Sequence, residues 1–294
     1  MSQPPEMAHG VMLHYAHGNG HPPTQGSLSA DDLRRLLDVY AHRLRTAAEW
    51  LAVARNTALT VQVCVTIDDG LREALDVFLP VLEERRLTAC WNVYTQPLVG
   101  VPHSLERYRW IRNHALGDVE GFYRAWGLTV NLDMLRRLAT DYRKDYAYLT
   151  EDDRLFRYWR DCHVSEFTYR TIMEDLGGRR VDQLGLDHWL SASDLRALRR
   201  AGHVIGLHTH THPTTMSDLS CEQQATEWAT SKYILESILG EPVTTAAWPC
   251  GNVTGAGVAW MKAHGITLAW GVGIPGALPY NAPRWSSGNW RSAK

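Results

Sequence analysis

The chain has 294 residues and a net charge of −2, with 45% hydrophobic and 21% charged residues. That composition is globular and long enough for one large core, so a single domain over residues 1–294 is expected. Acidic and basic residues alternate and no apolar run is long enough for a membrane span, so neither a nucleic-acid partner nor a membrane partner is expected.

In chain order, Val11-Met-Leu-His-Tyr15 predicts a first strand, followed by a loop rich in Gly, His and Pro. Ser29-Ala-Asp-Asp32 has the form of a capping box, and Leu33, Leu36, Leu37, Tyr40 and Leu44 mark one face of the helix it opens. Val61-Gln-Val-Cys-Val-Thr-Ile67 is a β-prone run ending in Asp68-Asp-Gly70, and the helix after it should kink or break at Pro80. Thr88 to Tyr94 is a third strand. The alternation so far favours a mostly parallel α/β sheet or barrel.

From about 103 to 190 the pattern becomes mostly helical and crowded with Arg, Tyr and Trp, with no catalytic motif. A lid, a substrate-binding cap or a dimer surface would each fit, and amphipathic helices packed on the barrel are the commoner arrangement. The α/β rhythm resumes at the capping box Ser191-Ala-Ser-Asp194, with Gly202 as the helix stop. Val204-Ile-Gly-Leu207 then stops at His208-Thr-His-Thr-His-Pro213. Ser220 and Gln223 open another helix closed by Gly240, and Val243 to Trp248 is a strand ending in Pro249-Cys-Gly251. A last helix around Val258 to Ala263 leads to the strand Ile266 to Trp270.

His208 and His212 are four residues apart. If the chain turns helically after Thr209, both imidazoles lie on one side and can meet one metal ion, while His210 points elsewhere. Fourteen histidines in one chain will also cluster by chance in a polar loop, so the pair needs a carboxylate partner. Adjacent carboxylates such as Asp68 and Asp69 repel at a strand end unless a cation or a shared proton relieves them. The Asp pair, the histidines and Pro249-Cys-Gly251 each lie just after a strand, and in an α/β barrel those ends converge on one face.

These residues resemble the polysaccharide deacetylase superfamily, the NodB-homology carbohydrate esterases. Thr66-Ile-Asp-Asp-Gly70 resembles its first motif, T-F-D-D-G, and His208-Thr-His-Thr-His-Pro213 its second, H-[ST]-x-x-H-P. The likeness covers roughly residues 60 to 100 and 188 to 271. It implies an α/β fold, a distorted (β/α) barrel of seven or so strands, with the mostly helical segment of about 103–190 as an insertion. It also implies one divalent metal ion held by Asp69, His208 and His212, zinc first, with Co2+, Ni2+ or Mn2+ as alternatives. Asp68 would be the general base, and the backbone N–H of Cys250 would help stabilise an oxyanion. The Cys250 thiol itself is expected only to pack.

Two motifs depart from the family. Ala247-Trp-Pro-Cys250 has Ala where many members carry a base-holding arginine, and no L-x-H histidine follows His264. Arg284, in Ala282-Pro-Arg-Trp285, is a candidate to orient Asp68 instead, against an ordinary surface salt bridge. The general acid is open between His14, His163 and a metal-bound water. Trp91, Trp248 and Trp270, with Pro249, are candidates to line a sugar pocket.

The function these residues imply is metal-dependent removal of an N-acetyl group from an amino sugar or a small sugar-containing precursor such as a sugar nucleotide. The alternatives are deformylation, ureide or imide hydrolysis at the same site, or an inactive barrel that only binds its ligand. A ferrous two-histidine-one-carboxylate oxygenase is discounted, since those sites normally sit in β-sandwiches. The amino terminus lacks a basic segment followed by an apolar core, and the five cysteines, odd in number and widely spaced, suggest no disulfide framework; a cytoplasmic location is expected, with a homo-oligomer allowed.

Overall fold

A computed structural model describes residues 5–54, 61–144, 149–178, 185–273 and 278–288. The chain divides into two compact units, one built from Met1–Val101 with Asp187–Trp290 and the other from Pro102–Leu186 with Arg291–Lys294.

In order, the first unit begins with β1 (His9–Leu13), α1 (Ala30–Val39), α2 (Ala47–Ala54), β2 (Val63–Asp68), α3 (Arg72–Glu84) and β3 (Ala89–Val93). The second unit contributes α4 (Ser104–His114), α5 (Val119–Gly127), α6 (Leu132–Leu138), α7 (Glu151–Tyr158) and α8 (Glu166–Gly177). The chain returns to the first unit with α9 (Ala192–Arg200), β4 (Val204–Leu207), α10 (Cys221–Leu239), β5 (Thr245–Ala247), α11 (Gly255–Ala263), β6 (Leu268–Trp270) and β7 (Arg284–Ser286).

The seven strands form one sheet in the order β6-β5-β4-β3-β2-β1-β7, and every pairing is parallel. Its two edges meet through the chain before and within β7. The Gly271 N–H donates to Ala282 O, and Gly273 and Arg284 exchange backbone bonds. The result is the expected distorted (β/α) barrel.

Side-chain alternation sorts each strand into an outer and an inner row. Val63, Val65 and Ile67 of β2, Trp91 and Val93 of β3, Ile205 and Leu207 of β4 and Ala246 of β5 share one core with α1, α3, α9 and α10. The opposite row, with Cys64, Cys90, Ala247, Leu268 and Trp270, forms a second cluster with Ala47, Trp50, Leu51 and Ala54 of α2. Trp50 packs on Trp270 at 4.6 Å and donates its indole N–H to Gln62 O, just before β2, so α2 plugs the barrel at the amino ends of its strands. Asp68 continues the inner row of β2, and His208 that of β4. Parity alone therefore aims both inward at the opposite end.

Inner glycines make room there. A Cβ on Gly10 would sit 2.9 Å from Thr66 and 3.0 Å from Trp270, and one on Gly206 would sit 2.5 Å from the Asn92 Oδ1.

The capping boxes at Ser29, Ser191 and Ser220 all form. Four details differ from expectation. β1 is shifted to His9–Leu13. α1 stops at Val39, and Leu44 instead forms a bridge to Val63, because Arg43 and Arg45 exchange backbone bonds with Val63. α3 runs through Pro80, since one missing N–H is outweighed by the buried face of Ala74, Val77, Phe78, Val81 and Leu82. β7 is only three residues long and follows Pro283, which hid it from a pattern search.

In the second unit the helices bury their apolar faces on one another, around Phe122, Trp126, Leu135, Phe156, Trp159 and Met173. Among the described residues no helix is long and apolar enough to cross a membrane.

Candidate active site

Asp68 ends β2 and Asp69 follows it, and the two serve different neighbours. Asp68 stays extended in the sheet, opposite Asn92 of β3, and Asn92 Nδ2 donates to its Oδ1 at 2.7 Å. Arg284 Nη1 lies 2.8 Å from Oδ1 and 2.6 Å from Oδ2, while its Nε donates to Gly271 O at 2.6 Å. Arginine and carboxylate are each only 1% exposed, so this is a buried, doubly contacted ion pair and not a surface bridge. Burial alone would raise the Asp68 pKa; the charges of Arg284, His208 and His14 and the Asn92 hydrogen bond outweigh it and hold the carboxyl well below the usual range.

Asp69 turns away because its backbone is left-handed, φ 74°, with Gly70 at φ 67° behind it. Its Oδ1 lies 3.4 Å from His208 Nε2 and 3.5 Å from His212 Nε2. The histidines do not come together through a helical turn, as their spacing suggested. His208 is followed by an irregular loop in which Thr209 and His212 both take left-handed φ, 66° and 50°. The Thr209 hydroxyl accepts the His212 N–H at 3.2 Å, and Glu227 of α10 accepts the N–H groups of His210 and Thr211 at 2.9 and 2.8 Å. Glu227 thus pins the loop. His210 does point elsewhere, pairing with the Thr95 hydroxyl at 2.9 Å.

Seven non-glycine residues have positive φ among those described, and Asp69, Thr209, His212 and Cys250 all follow strand ends on the same face. Each costs of order 1–3 kcal/mol, a form of strain that concentrates where side chains must be aimed.

His208 Nδ1 is 2.9 Å from Ala247 O. A carbonyl only accepts, so Nδ1 carries the proton and a neutral ring keeps its Nε2 lone pair for the site. Burial disfavours charge on His208, but the carboxylates of Asp68 and Asp69 and the Ala247 carbonyl outweigh it and raise its pKa. Burial likewise works against ionised Asp69, yet the two histidines and His14 hold its pKa below the ordinary value. Asp69 Oδ1 is sealed from solvent without a hydrogen-bond partner, and one donor atom from each of Asp69, His208 and His212 lies within 4.8 Å of the others. A buried carboxylate oxygen facing two imidazole nitrogens is a donor set suited to a divalent cation of the zinc type.

The remaining expected residues are placed as follows. His14, on the inner row just after β1, has its Nε2 3.7 Å from Asp68 Oδ2 and its side chain 31% exposed. Cys250 lies in the turn directly after β5, exposed and left-handed at φ 51°. His163 ends a π-turn in the second unit, and His264 caps α11, bonding Trp260 O and stacking on the Trp260 ring.

The tryptophan expectation is corrected. Trp91 and Trp248 belong to outer rows among the helices, and their indole N–H groups donate to His203 and to Tyr280 O. Trp270 is inside the barrel but stacked on Trp50 below the site. All three are fully buried, and Pro249 is buried as well, so none offers a face to a sugar ring.

Sequence reasoning missed Asn92, Glu227 and Tyr94, whose ring lies 5.4 Å from that of His212 and whose hydroxyl accepts from Trp189 Nε1. An asparagine within a strand of otherwise apolar residues was the available signal for the first. Nothing local marked the other two.

Comparison with known proteins fits this geometry. Residues 175–269 match the polysaccharide deacetylase family model. No curated protein matches the chain in sequence. Among solved structures, the fold is similar to that of IcaB from Ammonifex degensii, with a TM-score of 0.59 at 15% identity, covering 98% of this chain and 96% of that one. It is also similar to the Streptococcus pyogenes deacetylase PplD in complex with acetate, at 0.56 and 14% identity over 96% and 93% of the two chains. The BpsB deacetylase domain from Bordetella bronchiseptica gives 0.57 at 10% identity over 96% of each. The family match thus falls on the segment that carries the histidine loop and the turn after β5, and over those residues this chain is similar to the polysaccharide deacetylases.

Proposed function

We propose that this protein is a metal-dependent N-deacetylase acting on an amino sugar or a small sugar-containing precursor. The observation that carries the reading is the convergence of Asp69, His208 and His212 beside a second carboxylate, Asp68, held ionised by Arg284 and Asn92. Asp69, His208 and His212 would hold one divalent ion, zinc by donor type, and when bound it would acidify water and polarise the amide carbonyl.

The chain's own residues supply the rest. Asp68 accepts the proton of the attacking water, and Arg284 and Asn92 fix which carboxylate oxygen faces it. The Cys250 backbone N–H, after β5, is offered to the developing oxyanion. His14 is near Asp68 and reaches solvent, and so is placed to return a proton to the leaving amine. Arg284 then does from β7 what the family's third-motif arginine does from the strand where this chain has Ala247. Cys64 and Cys90 lie together in the barrel interior as free thiols, which suits a reducing compartment such as the cytoplasm and hence a soluble substrate, a sugar nucleotide among them.

The test pairs metal content by elemental analysis of the wild type, Asp69→Ala and His212→Ala with acetate release from N-acetylated amino sugars and sugar nucleotides. One ion per chain in the wild type, lost from both variants together with acetate release, is the expected result. A folded wild type that neither holds nor rebinds a divalent ion would overturn the proposal.

A further inference from the structure

In the second unit several arginines crowd together, and Arg112 among them is buried. Among the described residues, Arg112 of α4, Arg143, Arg157 of α7 and Arg160, just after α7, lie around two carboxylates, Asp153 and Asp161, whose charges Arg157 and Tyr142 also sense. Both acids are already engaged. Asp153 accepts the Tyr123 hydroxyl at 2.6 Å and the Thr150 hydroxyl and N–H of its own helix cap. Asp161 takes two bonds from Arg160, one from the Tyr142 hydroxyl, and Arg143 at 3.6 Å.

Arg112 and Arg157 are left over. Arg112 is 7% exposed, and its guanidinium lies over the Phe156 ring at 5.7 Å, with its Nε sealed and unbonded. The Arg157 Nε is likewise sealed and unbonded. Neither arginine has an ion pair or hydrogen bond to a described residue. A third donor without an acceptor, the Trp126 indole N–H, belongs to a ring 5.3 Å from the same Phe156. Leaving a buried cation unpaired is costly, and the planar fork of arginine matches oxyanions. Burial, and then the neighbouring Arg112 and Arg160, also press the Arg157 pKa below its usual value, which a bound anion would reverse.

We propose that the second unit carries a binding site for a phosphate-class oxyanion, held by Arg112 and Arg157 beside Phe156. This proposal does not depend on the deacetylase reading.

The experiment is thermal melting of the full chain with inorganic phosphate against chloride at matched ionic strength. The wild type and Asp69→Ala are expected to gain several degrees with phosphate and not with chloride. Arg157→Gln and Arg112→Met lose that gain, and in phosphate-free buffer Arg112→Met melts no lower than wild type, because an unpaired buried cation has been replaced by an apolar chain of similar length. A nucleoside diphosphate acting at lower concentration than phosphate marks a phosphate ester as the occupant, whereas equal potency marks the free ion. A phosphate response retained in both arginine variants but lost in Asp69→Ala would place the anion in the barrel and overturn the proposal. So would a wild type indifferent to phosphate alongside an Arg112→Met protein that melts well below it.

Discussion

Replacing Arg284 by Gln should expose how the Asp68 carboxylate is held. The substitution removes both contacts to Asp68, at 2.8 and 2.6 Å, and leaves a 1% exposed carboxylate beside the Asn92 amide, His14 and His208. Truncating one partner of a buried pair typically costs about 3–5 kcal/mol. The variant has an escape, since Asp68 can take up a proton. Holding a carboxyl of ordinary pKa protonated at neutral pH costs about 4 kcal/mol, which caps the electrostatic loss. The bond from Nε to Gly271 O adds about 1 kcal/mol that does not depend on pH.

The signs of the two proteins therefore differ. In the wild type the Asp68 pKa is depressed, so its contribution is present above the unfolded value and lost as pH falls through the folded one. In Arg284→Gln burial dominates and the pKa rises, so the penalty grows with pH above the unfolded value and fades below it. Urea denaturation of chelator-treated protein should show a gap of about 3–5 kcal/mol near neutrality, shrinking by up to about 1.4 kcal/mol per unit as pH falls toward 4. Asp68→Asn combined with Arg284→Gln should recover most of the pH-dependent part. A gap below about 1 kcal/mol, or one of the same size at both ends of that range, would refute the argument that the guanidinium neutralises a desolvated carboxylate.

Two further outcomes follow from the barrel's packing. Gly206→Ala places a Cβ 2.5 Å from the Asn92 Oδ1 and 2.9 Å from the Thr245 hydroxyl, so it should cost about 1–3 kcal/mol and lower turnover more than it changes KM, measured by denaturation and by acetate release. His203 is buried, which lowers its pKa to about 4, and its Nδ1 accepts from Ala89 N–H and Trp91 Nε1. Its stabilising contribution is present above about pH 6.5 and lost as pH falls toward 4, so titrating wild-type stability should show a loss in that window that His203→Gln lacks.

Much of the barrel was legible before any coordinates. Apolar runs such as Val63–Ile67 and Val204–Leu207 are buried on both faces, and a strand in that position must be apolar at nearly every residue. The capping boxes at Ser29, Ser191 and Ser220 were equally plain, because a cap is a contact within four residues. Asp69, His208 and His212 could be paired from motif and strand-end position, and the coordinates bring them to one point.

Local pattern could not say which row of a strand faces inward. Trp91 and Trp248 lie next to inner positions in sequence but belong to the outer rows, which is why they line no pocket. Nor could spacing reveal that His208 and His212 meet through two left-handed residues pinned by Glu227 rather than through a helical turn.

Sequence by itself determined the succession of strands and helices and the caps, since each is written in contacts of a few residues or in a periodic pattern. Only the tertiary structure decided that Arg284, 216 positions away from Asp68, would be buried against it. Closing the sheet through the residues before β7 is what carries that arginine inward, past the space left by Gly10, and nothing within reach of either residue along the chain encodes such a closure.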